Sequence, residues 1–233
     1  MNKAKSEAGV PRIAGVIVEE VSGRTVRKAI NAGADLLEVR VDTFRDRNTA
    51  TVAKELEKLK AYGGNIPLLI TVRSRKEGGK HPISDRKRAE MYEALMPMAD
   101  LIDIELSSSE ILKNVVNSAD RNKKKVIISY HNFKSTPGDK ILKDIIKKAR
   151  SSGADIVKIA ATAKNAGDLK RLAAILAGSD DLIVIAMGRL GAASRIFFPM
   201  LGSLVTYGSV TEATAPGQLS INAIKKEFSR YGF

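Results

Sequence analysis

Asp155-Ile156-Val157-Lys158-Ile159-Ala160-Ala161 is a short, β-branched apolar run broken by a single lysine. Its length and composition read as a buried strand, and helical patterns flank it at Gly138–Ser151 and Asn165–Leu176. A strand held between two helices is the repeating unit of a parallel sheet. The unit recurs outward in both directions. Further strand candidates are Ile13–Val18, Leu36–Val41, Pro67–Val72, Leu101–Leu106, Lys125–Tyr130, Leu182–Met187 and Ser203–Tyr207. Helical stretches fall at Val21–Ala32, Thr49–Tyr62, Asp85–Met98, Ser109–Ala119 and Pro216–Arg230. Eight strands in 233 residues predict an α/β chain folded as one (β/α)8 TIM barrel over residues 1–233, with its active site at the C-terminal strand ends. The alternative is a doubly wound open sheet. That fold would usually carry G-x-G-x-x-G after the first strand, and Ile13–Val18 runs instead into Glu19-Glu20-Val21-Ser22.

Lysine is rarely buried without a reason. Desolvation disfavours its ammonium form and lowers its pKa, which would make Lys158 a Schiff-base nucleophile near neutral pH. A lysine at a strand end that snorkels to solvent is an equally good reading of this run alone. Period two in the other strands tips the balance. Glu38, Arg40 and Asp42 share one face, Asp103 and Glu105 share another, and Arg73 and His131 end their strands. The outer face of a barrel strand packs on helices, so these groups point inward. So many inward charges are hard to explain as packing, because a buried charge is costly unless paired or used in chemistry. An enzyme is expected.

Composition narrows the class. Cysteine is absent and the only histidines are His81 and His131, which excludes disulfides, thiolate metal centres and sites of three histidines. No apolar run approaches the roughly 20 residues of a membrane span. Met1–Pro11 lacks an apolar signal core, so a cytoplasmic location is expected. The net charge of +13 raises nucleic-acid binding as a non-enzyme alternative. The charge is dispersed, however, and aromatic residues make up only 5% with no tryptophan, poor material for base stacking. Attraction of a small anionic substrate accounts for it at least as well.

Six motifs in order resemble the type I 3-dehydroquinate dehydratases. They are Glu38-Val39-Arg40-Val41-Asp42, Thr71 to Gly79, Ser129-Tyr130-His131-Asn132-Phe133, Val157-Lys158-Ile159-Ala160, Ala186-Met187-Gly188 with Ser194-Arg195, and Ala215-Pro216-Gly217-Gln218. The resemblance covers essentially the whole chain. It implies a barrel that dehydrates 3-dehydroquinate through a covalent imine, with no metal or organic cofactor, as a cytoplasmic homodimer. On this sequence it implies that Lys158 forms the imine, His131 transfers protons and Glu77 orients His131. Glu38, Arg40 and Arg73 would line the polar side of the pocket, Arg195, Thr214 and Gln218 would hold the substrate carboxylate and hydroxyls, and Met187 would pack on the ring. The chain departs from the family pattern at Asn132, Ile185 and Thr214, where aspartate, methionine and serine are frequent.

The residues fit that chemistry. An iminium at Lys158 acidifies the neighbouring C–H, and the pKa range of histidine suits both proton removal and delivery. The planar fork of Arg195 matches a carboxylate, although a surface arginine at a helix start fits its position too. Gly188 and Gly191 leave open a phosphate site and hence a class I aldolase, or a mobile loop at 189–193 that closes over the substrate. His81 reads as an ordinary loop residue.

Overall fold

A computed structural model describes residues 11–211 and 217–233. Strands and helices alternate along them: β1 (Arg12–Ile17), α1 (Gly23–Asn31), β2 (Leu36–Arg40), α2 (Thr49–Gly63), β3 (Leu68–Thr71), α3 (Asp85–Leu95), β4 (Leu101–Glu105) and α4 (Ser109–Arg121). They continue with β5 (Lys125–Asn132), α5 (Asp139–Ser151), β6 (Ile156–Thr162), α6 (Ala166–Ala174), β7 (Leu182–Met187), α7 (Gly191–Met200), β8 (Val205–Ser209) and α8 (Ile221–Arg230). The strands pair in parallel in the order β7-β6-β5-β4-β3-β2-β1-β8. The expected (β/α)8 barrel is the architecture found.

β7 and β8 meet at a seam. Leu204 N donates to Leu182 O at 2.9 Å. Ser203 Oγ accepts from Val184 N at 2.9 Å and Ser194 Oγ from Ala186 N at 3.1 Å. The two hydroxyls satisfy buried β7 amides that a ladder partner would otherwise take.

Strand alternation divides the apolar residues into two layers. Val39, Ile70, Ile104, Ile128 and Ile159 pack outward on helix residues such as Val26, Leu56, Met91 and Ile146. Ala14, Leu36, Leu69, Ile127, Ile183 and Val205 fill the barrel interior. An Ala-Asp pair precedes β2, β4 and β6, and its carboxylate ties the incoming strand to the previous one. Asp35 accepts from Ile13 N at 2.8 Å, Asp100 from Leu68 N at 2.9 Å, and Asp155 from Val126 N at 2.8 Å. These ties fix the N-terminal rim, which in this fold serves stability, and leave the opposite rim for function.

Several boundaries differ from expectation. β5 runs on to Asn132, so His131 lies within the ladder, beside Ala160. α3 stops at Leu95 and continues as a 3-10 turn at Met96–Met98, because Pro97 has no amide to extend the helix. α7 is absent from the sequence expectation: it is short, mostly apolar, starts at a glycine and contains Pro199. α8 begins at Ile221, behind the Ser220 cap that accepts from Ala223 N; its expected start, Pro216, lies outside the described residues.

Candidate active site

The C-terminal strand ends surround a cavity of about 140 Å³. Nine of the ten expected site residues line it: Glu38, Arg40, Arg73, Glu77, His131, Lys158, Met187, Arg195 and Gln218. The tenth, Thr214, lies outside the described residues. A larger hollow of about 500 Å³ sits on the outer face between α5 and α6, lined in part by Lys143, Lys147, Arg150 and Arg171. Arg150 pairs there with Asp181, and Arg171 with Asp139 and Asp168. No strand residue lines that hollow, so the buried ionisable groups single out the smaller cavity.

Its floor is a chain of alternating charges. Register sets one row of it, with Glu105 beside Ser129 and Ser129 beside Lys158 across β4, β5 and β6. Lys158 Nζ donates to Asp103 Oδ2 at 2.9 Å and lies 3.8 Å from Glu38 Oε1. Arg73 Nη2 pairs with Asp103 Oδ1 at 3.0 Å, and its Nη1 donates to Glu105 Oε1 at 2.7 Å and Ser129 Oγ at 2.9 Å. Ser129 Oγ donates onward to Asp103 Oδ1 at 2.6 Å. Arg88, fully buried on α3, closes the chain by pairing with Glu105. Each charge has a partner, which is the condition for keeping so many out of water.

The expectation that burial lowers the Lys158 pKa is overturned. Burial does oppose the ammonium, but Asp103, Tyr207 and Glu38 outweigh it and move the pKa up from 10.5, with Arg73 acting against them. Nζ also rests on the face of the Tyr207 ring, 4.1 Å from its centre. These neighbours therefore hold Lys158 as an ammonium.

His131 behaves oppositely. Burial, aided by Arg73, Lys158 and Arg40 and resisted by Asp103, pushes its pKa well below 6.5. Its backbone N donates to Glu77 Oε2 at 2.9 Å, and Nδ1 lies 3.0 Å from the same oxygen. Ser107 Oγ donates to the other Glu77 oxygen. Burial lifts the Glu77 pKa, with Ser107 pulling it back and Glu105 adding to the rise. With the Nδ1 proton turned to Glu77, the neutral imidazole keeps its Nε2 lone pair free.

Arg40 is committed to Asp42 through two bonds of 2.8 and 2.9 Å. Arg195 is different. It is no surface residue at a helix start: it lies inside α7 and is only 3% exposed. Nε donates to Gly217 O at 3.0 Å and Nη1 to Tyr207 O at 3.4 Å, and no carboxylate pairs with it among the described residues. Burial without a counter-ion pushes its pKa down to about 10. Gly217 permits this approach. Its φ is +74°, and a Cβ there would sit 2.6 Å from Gly188 O. Residues 191–193, expected as part of a mobile loop, form the first turn of α7.

Sequence reading left Asp103 and Glu105 as an unassigned carboxylate pair and passed over Ser129 and Tyr207. The available signal was Ser129 at an inward position of an apolar strand. Tyr207 gave none, because an aromatic residue in a strand is ordinary packing.

A family model described as type I 3-dehydroquinase matches residues 18–230. The 3-dehydroquinate dehydratase of Hydrogenobaculum sp. (strain Y04AAS1) is 38% identical, over 92% of this chain and 96% of its own. That of Aquifex aeolicus (strain VF5) is 37% identical, over 88% and 93%. The crystal structure of the Geobacillus kaustophilus 3-dehydroquinate dehydratase superposes with a TM-score of 0.89 at 29% identity, covering 96% of this chain and 93% of its own. The type I enzyme of Clostridium difficile, solved with covalent modified comenic acid, gives 0.88 at 30% identity, covering 96% and 92%. With a matching motif set, the same fold and relatives above 35% identity over nearly its full length, this chain belongs to the type I 3-dehydroquinase family.

Proposed function

We propose that the cavity binds 3-dehydroquinate with its ketone at Lys158 and its carboxylate at Arg195, and that Lys158, His131 and Glu77 are the catalytic residues. Dehydration of 3-dehydroquinate to 3-dehydroshikimate is the activity of the family to which the chain belongs. The observation that carries the residue assignment is one cavity lined by a buried amine, a carboxylate-backed imidazole and a buried arginine that no described carboxylate pairs with. At about 140 Å³ the cavity is small, well under the roughly 300–1,000 Å³ of drug-sized sites. A compact carbocyclic acid suits it. The covalent modified comenic acid of the Clostridium difficile relative is in keeping with a site that bonds its ligand.

The raised pKa of Lys158 fits this chemistry. An ammonium and a ketone become an iminium and water, so one positive charge sits at nitrogen before and after. Asp103, Glu38 and the Tyr207 ring, which favour the ammonium, also favour the iminium. Only the transient neutral amine is disfavoured. The iminium then withdraws electrons from the adjacent C–H bond. His131 Nε2 takes that proton, and the enamine so formed expels the neighbouring hydroxyl as His131 returns the proton to it. A single base serving both positions requires them on one ring face, which gives syn elimination. Glu77 holds the Nδ1 tautomer and stabilises the imidazolium. Glu38, Arg40, Arg73, Thr214 and Gln218 would meet substrate hydroxyls, and Met187 the ring.

The test is the absorbance of the conjugated enone formed from 3-dehydroquinate, measured on exhaustively chelated protein. The iminium supplies the electron sink, so activity is expected to persist without metal. Loss on chelation and rescue by zinc or magnesium would refute the mechanism. Arg195→Ala is expected to raise KM and lower kcat together, with kcat/KM falling on the order of 10²-fold for a lost charge-assisted pair. Unchanged constants would move the carboxylate elsewhere.

The same reading takes residues 1–233 as one catalytic domain, cytoplasmic, acting on a small molecule rather than nucleic acid. It also includes a homodimer. Phe197 on α7, Leu201 at its C-cap, and Tyr231, packed on Phe197, offer an exposed apolar face for it. No described helix is long and apolar enough to cross a membrane.

A further inference from the structure

Neither the family motifs nor the ion-pair chain accounts for Tyr207. It lies on β8 beside Ala14 of β1, whose small side chain leaves room for the ring, and it points into the barrel. The ring face meets Lys158 Nζ at 4.1 Å from its centre. Its hydroxyl is buried and makes no hydrogen bond of ordinary geometry among the described residues, although Lys158 lies close enough to act on it electrostatically. Tyr92, the other deeply buried tyrosine, shows the ordinary arrangement. Its hydroxyl donates to Asp103 O at 2.6 Å and accepts from Val72 N at 3.1 Å. A buried donor without an acceptor destabilises the protein that holds it. Ser118 Oγ is the other such atom, but Ser118 is on α4 and does not line the cavity, whereas Tyr207 does.

We propose that Tyr207 is a further substrate-contacting residue of the imine step: its hydroxyl donates to the substrate's ketone oxygen while its ring face holds the nitrogen cation. The inference rests on the reading of Lys158 as the imine-forming lysine. Lys158 first gives a proton to the site's base, His131, and becomes a neutral amine. Its lone pair forms the N–C bond as the carbonyl π pair moves onto oxygen, where negative charge grows. A fixed donor at that oxygen stabilises the charge as it develops. Burial, reinforced by Glu38 and Asp103 and opposed by Lys158, holds the phenol above its usual pKa, so it remains a donor and does not itself ionise. The oxygen takes one proton from nitrogen to give the carbinolamine. It then takes back the proton held by His131 and leaves as water, while the nitrogen lone pair forms the C=N⁺ bond. The cation at nitrogen is restored against the same ring face.

Tyr207→Phe keeps the ring and removes only the hydroxyl. Three measurements are made on the whole protein: thermal melting alone, thermal melting with saturating 3-dehydroshikimate, and single-turnover formation of the borohydride-reducible adduct with 3-dehydroquinate. The free variant is expected to melt no lower than wild type, because an unpaired buried group has gone. The ligand-induced rise in melting temperature is expected to shrink. Adduct formation is expected to slow on the order of 10²-fold, the loss seen when one donor to a developing oxyanion is removed. Tyr207→Leu, which also loses the ring, is expected to be slower still. A lower melting temperature for the free Phe variant would mean the hydroxyl has a structural partner, and would overturn the inference. So would adduct formation at the wild-type rate. If wild-type protein forms no reducible adduct on Lys158, the reading of that lysine fails and this one with it. If wild type is labelled there and the Phe variant is labelled equally fast, only the role of Tyr207 falls.

Discussion

Lys158→Ala is expected to abolish turnover and labelling together. Borohydride added to wild-type protein with 3-dehydroquinate should leave a reduced adduct on the peptide carrying Lys158, because the iminium is a reducible bond. The variant has no amine at that point, so no adduct forms and the α-proton is never acidified. The loss in kcat should be on the order of 10⁶-fold, the scale reached when a covalent nucleophile is removed. The fold should survive. Asp103 loses one partner at 2.9 Å but keeps Arg73 at 3.0 Å and Ser129 at 2.6 Å, and Glu38, which loses its ion pair to Lys158, keeps the hydrogen bond from Thr71 Oγ1 at 2.8 Å. Circular dichroism and melting would confirm that inactivity is chemical. Adduct on another lysine, or dehydration retained in the variant, would sink the assignment.

The same neighbours show why some of the site was legible in sequence and some was not. Period two in β2, β4, β5 and β6 was enough to turn Glu38, Asp103, His131 and Lys158 inward, because a strand face packed on helices cannot hold charge. What lies opposite a residue across the barrel is a matter of register and closure, and no local pattern carries that. Lys158 and Asp103 are 55 positions apart, so burial alone looked decisive for the amine and gave the wrong sign for its pKa. Arg195 was obscured for a related reason. α7 is an apolar segment that starts at Gly191 and contains Pro199, without the polar face that marks a surface helix, so its inward arginine looked peripheral. Arg40 and Arg73 are expected to line the polar side of the pocket, with nothing in the sequence to say what pairs them. Asp42 occupies the one and Asp103 with Glu105 the other, whereas Arg195 has no carboxylate partner among the described residues.

His131→Ala is expected to stall the reaction after the imine. The iminium forms at Lys158, and water can carry the two protons that His131 handles in that step, so borohydride should still trap an adduct, and the trapped fraction should rise as the next step slows. Dehydration should fall by at least the roughly 10²–10⁴ typical of a general acid–base group, since one imidazole serves two proton transfers. Near-normal turnover would hand the role to Glu77 or to water. The pH dependence separates His131 from a merely structural residue. Its folded pKa lies well below 6.5, so the free enzyme keeps a neutral base under mildly acidic conditions, and the acid limb of kcat/KM should fall well below pH 6.5. Stability follows with a defined sign. Below about pH 6.5 the unfolded chain takes up a proton at His131 that the folded site refuses, so stability falls as pH drops toward the folded pKa. His131→Ala removes that contribution and should flatten the acid side of the stability curve. An acid limb at or above pH 6.5 in the wild-type profile would mean that the surrounding cations, Arg73, Lys158 and Arg40, do not hold the imidazole neutral.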